Sequence, residues 1–170
     1  MDIKKKNQEF IEILNNDNDL KTKRDELING QHPGLLVITC SDSRVIPELT
    51  FNSSLGDIFV IRTAGNVINE GELASLEYAI EHLHIKHIIL LGHTHCGAIH
   101  ASIHQKKGQY LNSILNRIKD NIKDESNELE ATKINVIKEV QFIKEKFPQY
   151  DGLIEGMIYD IETSIATKIN

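Results

Sequence analysis

The stretch LLVITCSDSR, residues 35–44, decides the fold, because a short apolar and β-branched run passes without alternation into a polar turn that carries a cysteine. A run of that length and continuity fits a strand buried on both faces, as in a parallel sheet, better than an amphipathic helix. The same texture returns at Ile58-Phe59-Val60-Ile61 and at Ile88-Ile89-Leu90-Leu91. Between those two runs, from Glu72 to Ile85, Leu73, Leu76, Ile80 and Leu83 recur three or four residues apart and predict a crossover helix, hence a β-α-β unit.

Working outward, Leu111, Ile114, Leu115, Ile118 and Ile122 mark one amphipathic helix. Val136, Val140, Ile143 and Phe147 mark another that stops at Pro148, and a last strand is expected near Leu153 to Ile161. The pattern is α/β: three layers, with a mostly parallel central sheet flanked by helices. Upstream, Phe10, Ile13 and Leu14 at helical spacing, a polar break at Asn15 to Asp19 and a second short piece ending near Gly30 form an N-terminal helical arm over residues 1–30. With no repeat and no Pro/Gly/Ser-rich linker, residues 1–170 are expected to make a single domain.

Composition narrows the function. The 170 residues are 40 % hydrophobic, enough for a packed core without disulfide staples. A formal net charge of −6 argues against a nucleic-acid partner, which calls for a basic face. The N-terminal lysines precede no continuous apolar h-region, and no stretch reaches the length of a membrane span, so a cytoplasmic protein with no membrane partner is expected.

Each apolar run ends in a polar cluster: Cys40-Ser41-Asp42-Ser43-Arg44, Arg62-Thr63-Ala64-Gly65-Asn66, and Gly92-His93-Thr94-His95-Cys96-Gly97. Ligands of open α/β sheets bind beyond the carboxyl ends of the strands, so these clusters should converge. They contain both cysteines of the chain, with His93 three residues before Cys96. Two thiolates and one imidazole suit Zn²⁺ and leave a fourth tetrahedral position open, the pattern of a catalytic rather than a structural zinc. Taken singly, Cys40 reads better as a plain core residue, and His93-x-x-Cys96 equally well as a loop coincidence; the convergence is what favours a metal site. His95 competes with His93, but neighbours in a turning loop point apart, whereas a three-residue step into a helix start brings side chains together. Asp42 is placed to accept a hydrogen bond from a metal-held hydroxide or to bind the metal, and Arg44 to hold that carboxylate; the alternative is a helix N-cap aspartate with a solvated arginine. No Gly-x-Gly-x-x-Gly follows the first strand, so a dinucleotide site is excluded.

Cys40-x-Asp42-x-Arg44 followed by His93-x-x-Cys96-Gly97 resembles the β-class carbonic anhydrases. The likeness extends through Arg62 to Asn66 and Ser75-Leu76-Glu77-Tyr78-Ala79 to the last strand, and the short length is similar to the compact branch of that family. The glutamine and aromatic residues that line the pocket of the longer branch find no place in Gly34 to Thr39. The resemblance implies an enzyme that interconverts CO2 and bicarbonate through a zinc-bound hydroxide. It implies Zn²⁺ on Cys40, His93 and Cys96, an Asp42–Arg44 catalytic dyad and a Gly97 N–H that orients substrate. It also implies a homodimer or dimer-based tetramer, with the N-terminal helices packed on the partner. Hydrolysis of CS2 or COS on the same site, and a non-catalytic zinc-binding scaffold or sensor, are the alternatives.

Overall fold

The computed structural model describes residues 1–169. In chain order the elements are α1 (Ile3–Asn16), α2 (Asn18–Glu26), β1 (Leu35–Cys40), α3 (Pro47–Thr50), β2 (Ile58–Thr63), a 3-10 turn (Ala64–Asn66), α4 (Glu70–Glu81) and β3 (His87–His93). There follow α5 (Gly97–Ile103), α6 (Asn112–Ile122), α7 (Glu128–Lys146), β4 (Leu153–Tyr159) and β5 (Ala166–Lys168). The sheet runs β2-β1-β3-β4-β5, parallel except for the antiparallel edge strand β5.

The expected strands and the α/β architecture are present, and the differences have local causes. Asp17 both ends α1 and opens α2: its N–H donates to the Ile13 carbonyl at 3.1 Å and its carboxylate accepts the Leu20 N–H at 2.9 Å. Helix α4 stops at Glu81 rather than reaching Ile85, because His84 adopts a left-handed φ of 55° and Ile85 leaves the helix to fill the core. Helix α7 begins well before Val136, where the Asn127 side chain accepts the Glu130 N–H at 3.1 Å. The short α5 and the three-residue β5 carry too few residues to show a periodicity.

Successive residues of the central strands feed opposite faces of the sheet. Leu36, Ile38, Ile88 and Leu90 join Leu76 and Ala79 of α4 and Val136, Val140 and Ile143 of α7 in one cluster. Val37, Ile89 and Leu91 join Val45 on the other face, where Phe51, just past α3, and Ile161 pack over them. Burial on both faces explains why these strands read as unbroken apolar runs. Helix α1 behaves differently, burying only Leu14 and leaving Ile3, Phe10, Ile11 and Ile13 exposed. No described helix is long and apolar enough to cross a membrane.

Where α7 crosses β3 the approach is close. A Cβ added at Gly92 would lie 2.6 Å from Val136 Cγ2 and 3.1 Å from Ile158 Cδ1. Gly92→Ala should therefore lower the unfolding free energy by about 1–3 kcal/mol in urea titrations, the usual cost of overpacking.

Candidate metal centre

The connections from β1 and from β3 leave in opposite directions across the sheet, to β2 on one side and to β4 on the other. Their loops diverge and open a crevice at the carboxyl ends of two neighbouring parallel strands. Cys40 is the last residue of β1 and His93 the last of β3, so the fold sets them side by side. Cys96 follows as the cap residue of α5.

Cys40, His93 and Cys96 are all buried, and one ligand atom from each lies within 4.8 Å of the others. A tetrahedral Zn²⁺ with S and N donors needs donor separations of roughly 3.5–3.8 Å, a small contraction from that spread. His93 Nδ1 lies 2.8 Å from the Thr94 carbonyl, which takes its proton and leaves the Nε2 lone pair free. That Nε2 is buried without a hydrogen-bond partner. An orphaned imidazole nitrogen near two free, buried thiols is a donor set that suits Zn²⁺. His95 is turned away: its φ is 55°, and Nε2 lies 3.1 Å from Glu162 Oε1.

Asp42 is paired with Arg44 and caps no helix; α3 has Ile46 as its cap residue. Arg44 Nε donates to Asp42 Oδ1 at 2.9 Å and Nη2 to Oδ2 at 2.7 Å, while the Arg44 backbone N–H donates to Oδ1 at 3.0 Å. Asp42 Oδ2 is left 4.0 Å from His93 Nε2. Gly97 is the first residue of α5, directly beside Cys96. Arg62, whose role the sequence left blank, clasps the loop: it donates to the carbonyls of Cys40 at 3.2 Å, Asp42 at 2.7 Å and Val45 at 2.8 Å. Its signal was position, one residue before the Thr63 that lies opposite Cys40. The N–H of Gly65 donates to Cys40 Sγ at 3.3 Å.

The two thiols are tuned in opposite ways, and the carboxylate is lowered with Cys40. The hydrogen bond from Cys96 pulls the Cys40 thiol below the usual thiol range against the opposing effect of burial, with the Gly65 N–H helping. The same hydrogen bond, burial and the Cys40 charge push Cys96 well above the usual thiol range. Metal binding needs both sulfurs as thiolates, so a divalent cation would displace any proton the pair still carries. Hydrogen bonds from Arg44 hold the Asp42 carboxyl well below the usual carboxylate range, so it is ionised and can only accept.

A parallel α/β sheet with a Cys-His-Cys centre at its carboxyl edge defines a class of metalloprotein. Residues 35–165 match the carbonic anhydrase family. The chain belongs to the β-carbonic anhydrase family. A carbonic anhydrase of Synechococcus elongatus is 52 % identical over 81 residues, which are 44 % of this chain and 30 % of that protein. The aligned segment thus spans less than a third of that relative's length. The β-carbonic anhydrase CcaA superposes with a TM-score of 0.76 at 31 % identity, over 96 % of this chain and 94 % of that one. One of the tetrameric β-carbonic anhydrases of Sordaria macrospora does so with a TM-score of 0.77 at 25 % identity, over 96 % and 98 % of the two chains.

Two measurements check the centre. Chelator-treated protein should take up one zinc per chain with release of protons at neutral pH, read with an indicator dye, while Cys96→Ser or His93→Ala should abolish stoichiometric uptake. Asp42, whose folded pKa is depressed, keeps its pairing with Arg44 above the ordinary carboxylate range and loses it only as pH falls through the lowered value. Arg44→Ala should bring its titration, followed by carboxyl ¹³C NMR, up toward the ordinary value of about 4.

Proposed function

We propose that the chain is a zinc enzyme that reversibly hydrates CO2 to bicarbonate and a proton. The observation that carries this reading is the free His93 Nε2, buried within 4.8 Å of two thiols with the Arg44-held Asp42 carboxylate 4.0 Å away. Zn²⁺ held by Cys40, His93 and Cys96 would supply the Lewis acidity that lowers the pKa of water and makes it a nucleophile.

The chain's own residues do the rest. Asp42 is an obligate acceptor, so it takes an O–H hydrogen bond and thereby turns a lone pair of that oxygen toward the substrate carbon. The bidentate guanidinium of Arg44 prevents the carboxylate from rotating away from this task. Gly97, at the start of α5, has a backbone N–H without an intrahelical acceptor and is suited to a substrate oxygen. The released proton leaves to buffer or to a rim histidine. Two thiolate donors make the centre more electron-rich than three imidazoles would, so activity is expected to climb through the mildly alkaline range.

The partner proposed is a second copy of this chain, as a dimer or a dimer-based tetramer. Support comes from the exposed apolar residues of α1 and from the tetrameric assembly of the Sordaria relative.

Stopped-flow CO2 hydration on zinc-quantified protein tests the activity: Asp42→Asn should lower kcat/KM by roughly 10²–10⁴ with zinc content unchanged. A rate that stays flat from acid to alkaline pH, or sulfide release from CS2 or COS faster than CO2 hydration, would overturn this reading. Deleting residues 1–26 should shift the sedimentation profile from the oligomer toward monomer, and an unchanged profile would remove the arm from the interface.

A further inference from the structure

Behind the metal centre lies a buried polar chain that the reaction does not require. Glu139 and Asn135 of α7 are fully buried in a helix otherwise packed through Val136, Val140 and Ile143. Arg117 of α6 donates to Glu139 through Nε at 2.8 Å and Nη2 at 3.0 Å. Asn121 Nδ2 donates both to Glu139 Oε1 at 2.8 Å and to Asn135 Oδ1 at 2.9 Å. Asn135 Nδ2 then donates to the Gly65 carbonyl at 3.0 Å.

A buried ion pair of this kind is weak support for stability, since well-packed apolar residues of similar volume often do as well. Its endpoint gives it a use. Gly65 sits at φ 68°, in the left-handed region, and its two backbone groups are both engaged: the carbonyl accepts from Asn135 and the N–H donates to Cys40 Sγ at 3.3 Å. The two bonds together fix the glycine's orientation.

The direction of the chain is also set. Glu139 can only accept, so Asn121 must present its NH2 group; both hydrogens of that group are spent on Glu139 and Asn135. Asn135 therefore shows its oxygen to Asn121 and its NH2 to Gly65. The carboxylate at one end dictates that a donor meets the Gly65 carbonyl at the other.

We propose that Asn135, oriented by Asn121 and Glu139, is a positioning residue for the metal centre, holding Gly65 so that its N–H stays on the Cys40 sulfur. The inference rests on the reading of Cys40, His93 and Cys96 as a metal shell, and it adds a residue the metal does not touch.

The test uses full-length protein loaded with Zn²⁺, Co²⁺ or ¹¹³Cd²⁺. Asn135→Leu, close in volume, should weaken zinc binding roughly 10–100-fold in chelator competition, the usual effect of removing an outer partner of a metal ligand. It should also move the sulfur-to-cobalt charge-transfer band to lower energy, because Cys40 loses an N–H donor. In ¹¹³Cd-loaded parent protein the Gly65 amide proton should show scalar coupling to the metal, and the variant should lose it. Thr132→Val, which removes a buried hydroxyl of α7 that bonds only within its own helix, should leave affinity, band and coupling unchanged. Asn121→Ala, at a half-buried site, should shift the same readouts in the same direction and serves if Asn135→Leu does not fold. An Asn135→Leu protein that melts earlier yet keeps parental affinity, band and coupling would reduce the network to a structural role, as would a cadmium-loaded parent without the coupling. A parent that takes up no stoichiometric zinc would instead overturn the metal reading itself.

Discussion

The structure depends on the parallel pairing of β1 with β3 at the point where strand order reverses. Leu36 to Thr39 lie against Ile88 to Leu91, and this register brings the ends of the two strands, Cys40 and His93, to one crevice. A one-residue slip would exchange the two faces of the shifted strand and send the side chain at its end to the wrong one. The apolar clusters on both faces of the sheet resist that slip, so the same packing that stabilises the domain also sets the geometry of the Cys-His-Cys cluster.

Around that pairing the charges answer one another. Two buried thiols and the free Nε2 of His93 lie within 4.8 Å of one another, a donor set suited to a soft divalent cation. Arg44 and Arg62 stand over the same loop with different tasks. One neutralises and orients the Asp42 carboxylate, while the other gathers three backbone carbonyls so that the loop keeps its shape. On the far side, Glu139 sends its polarity through two amides to Gly65. The site is thus held from the loop above and from the helices behind.

The strands were legible because burial on both faces leaves an unbroken apolar run, and the ligands because Cys40, His93 and Cys96 each stand at or just past the end of such a run. The full length of α7 was less legible, since its first turns present Glu128, Glu130, Thr132 and Asn135 where an apolar stripe would be sought. Glu139 in the core stripe of that helix is the signal that was available for the network, a charge three residues from Val136 and one from Val140. Nothing in the order of residues says which carbonyl a buried asparagine will meet.

By itself the sequence determined the class of fold, the candidate donors at the strand ends (two cysteines and a histidine of the His93–His95 pair) and the presence of a carboxylate beside them, because each follows from residue type and from distance along the chain to a strand end. Tertiary structure alone decided that His93, not His95, faces the thiols, that Asp42 is held by Arg44 instead of capping a helix, and that Arg62 and Asn135 brace the shell from two sides. Those choices depend on side-chain direction and on contacts between segments far apart in sequence, such as Asn135 with Gly65 and Arg62 with Cys40, which appear only once the sheet and its helices have closed.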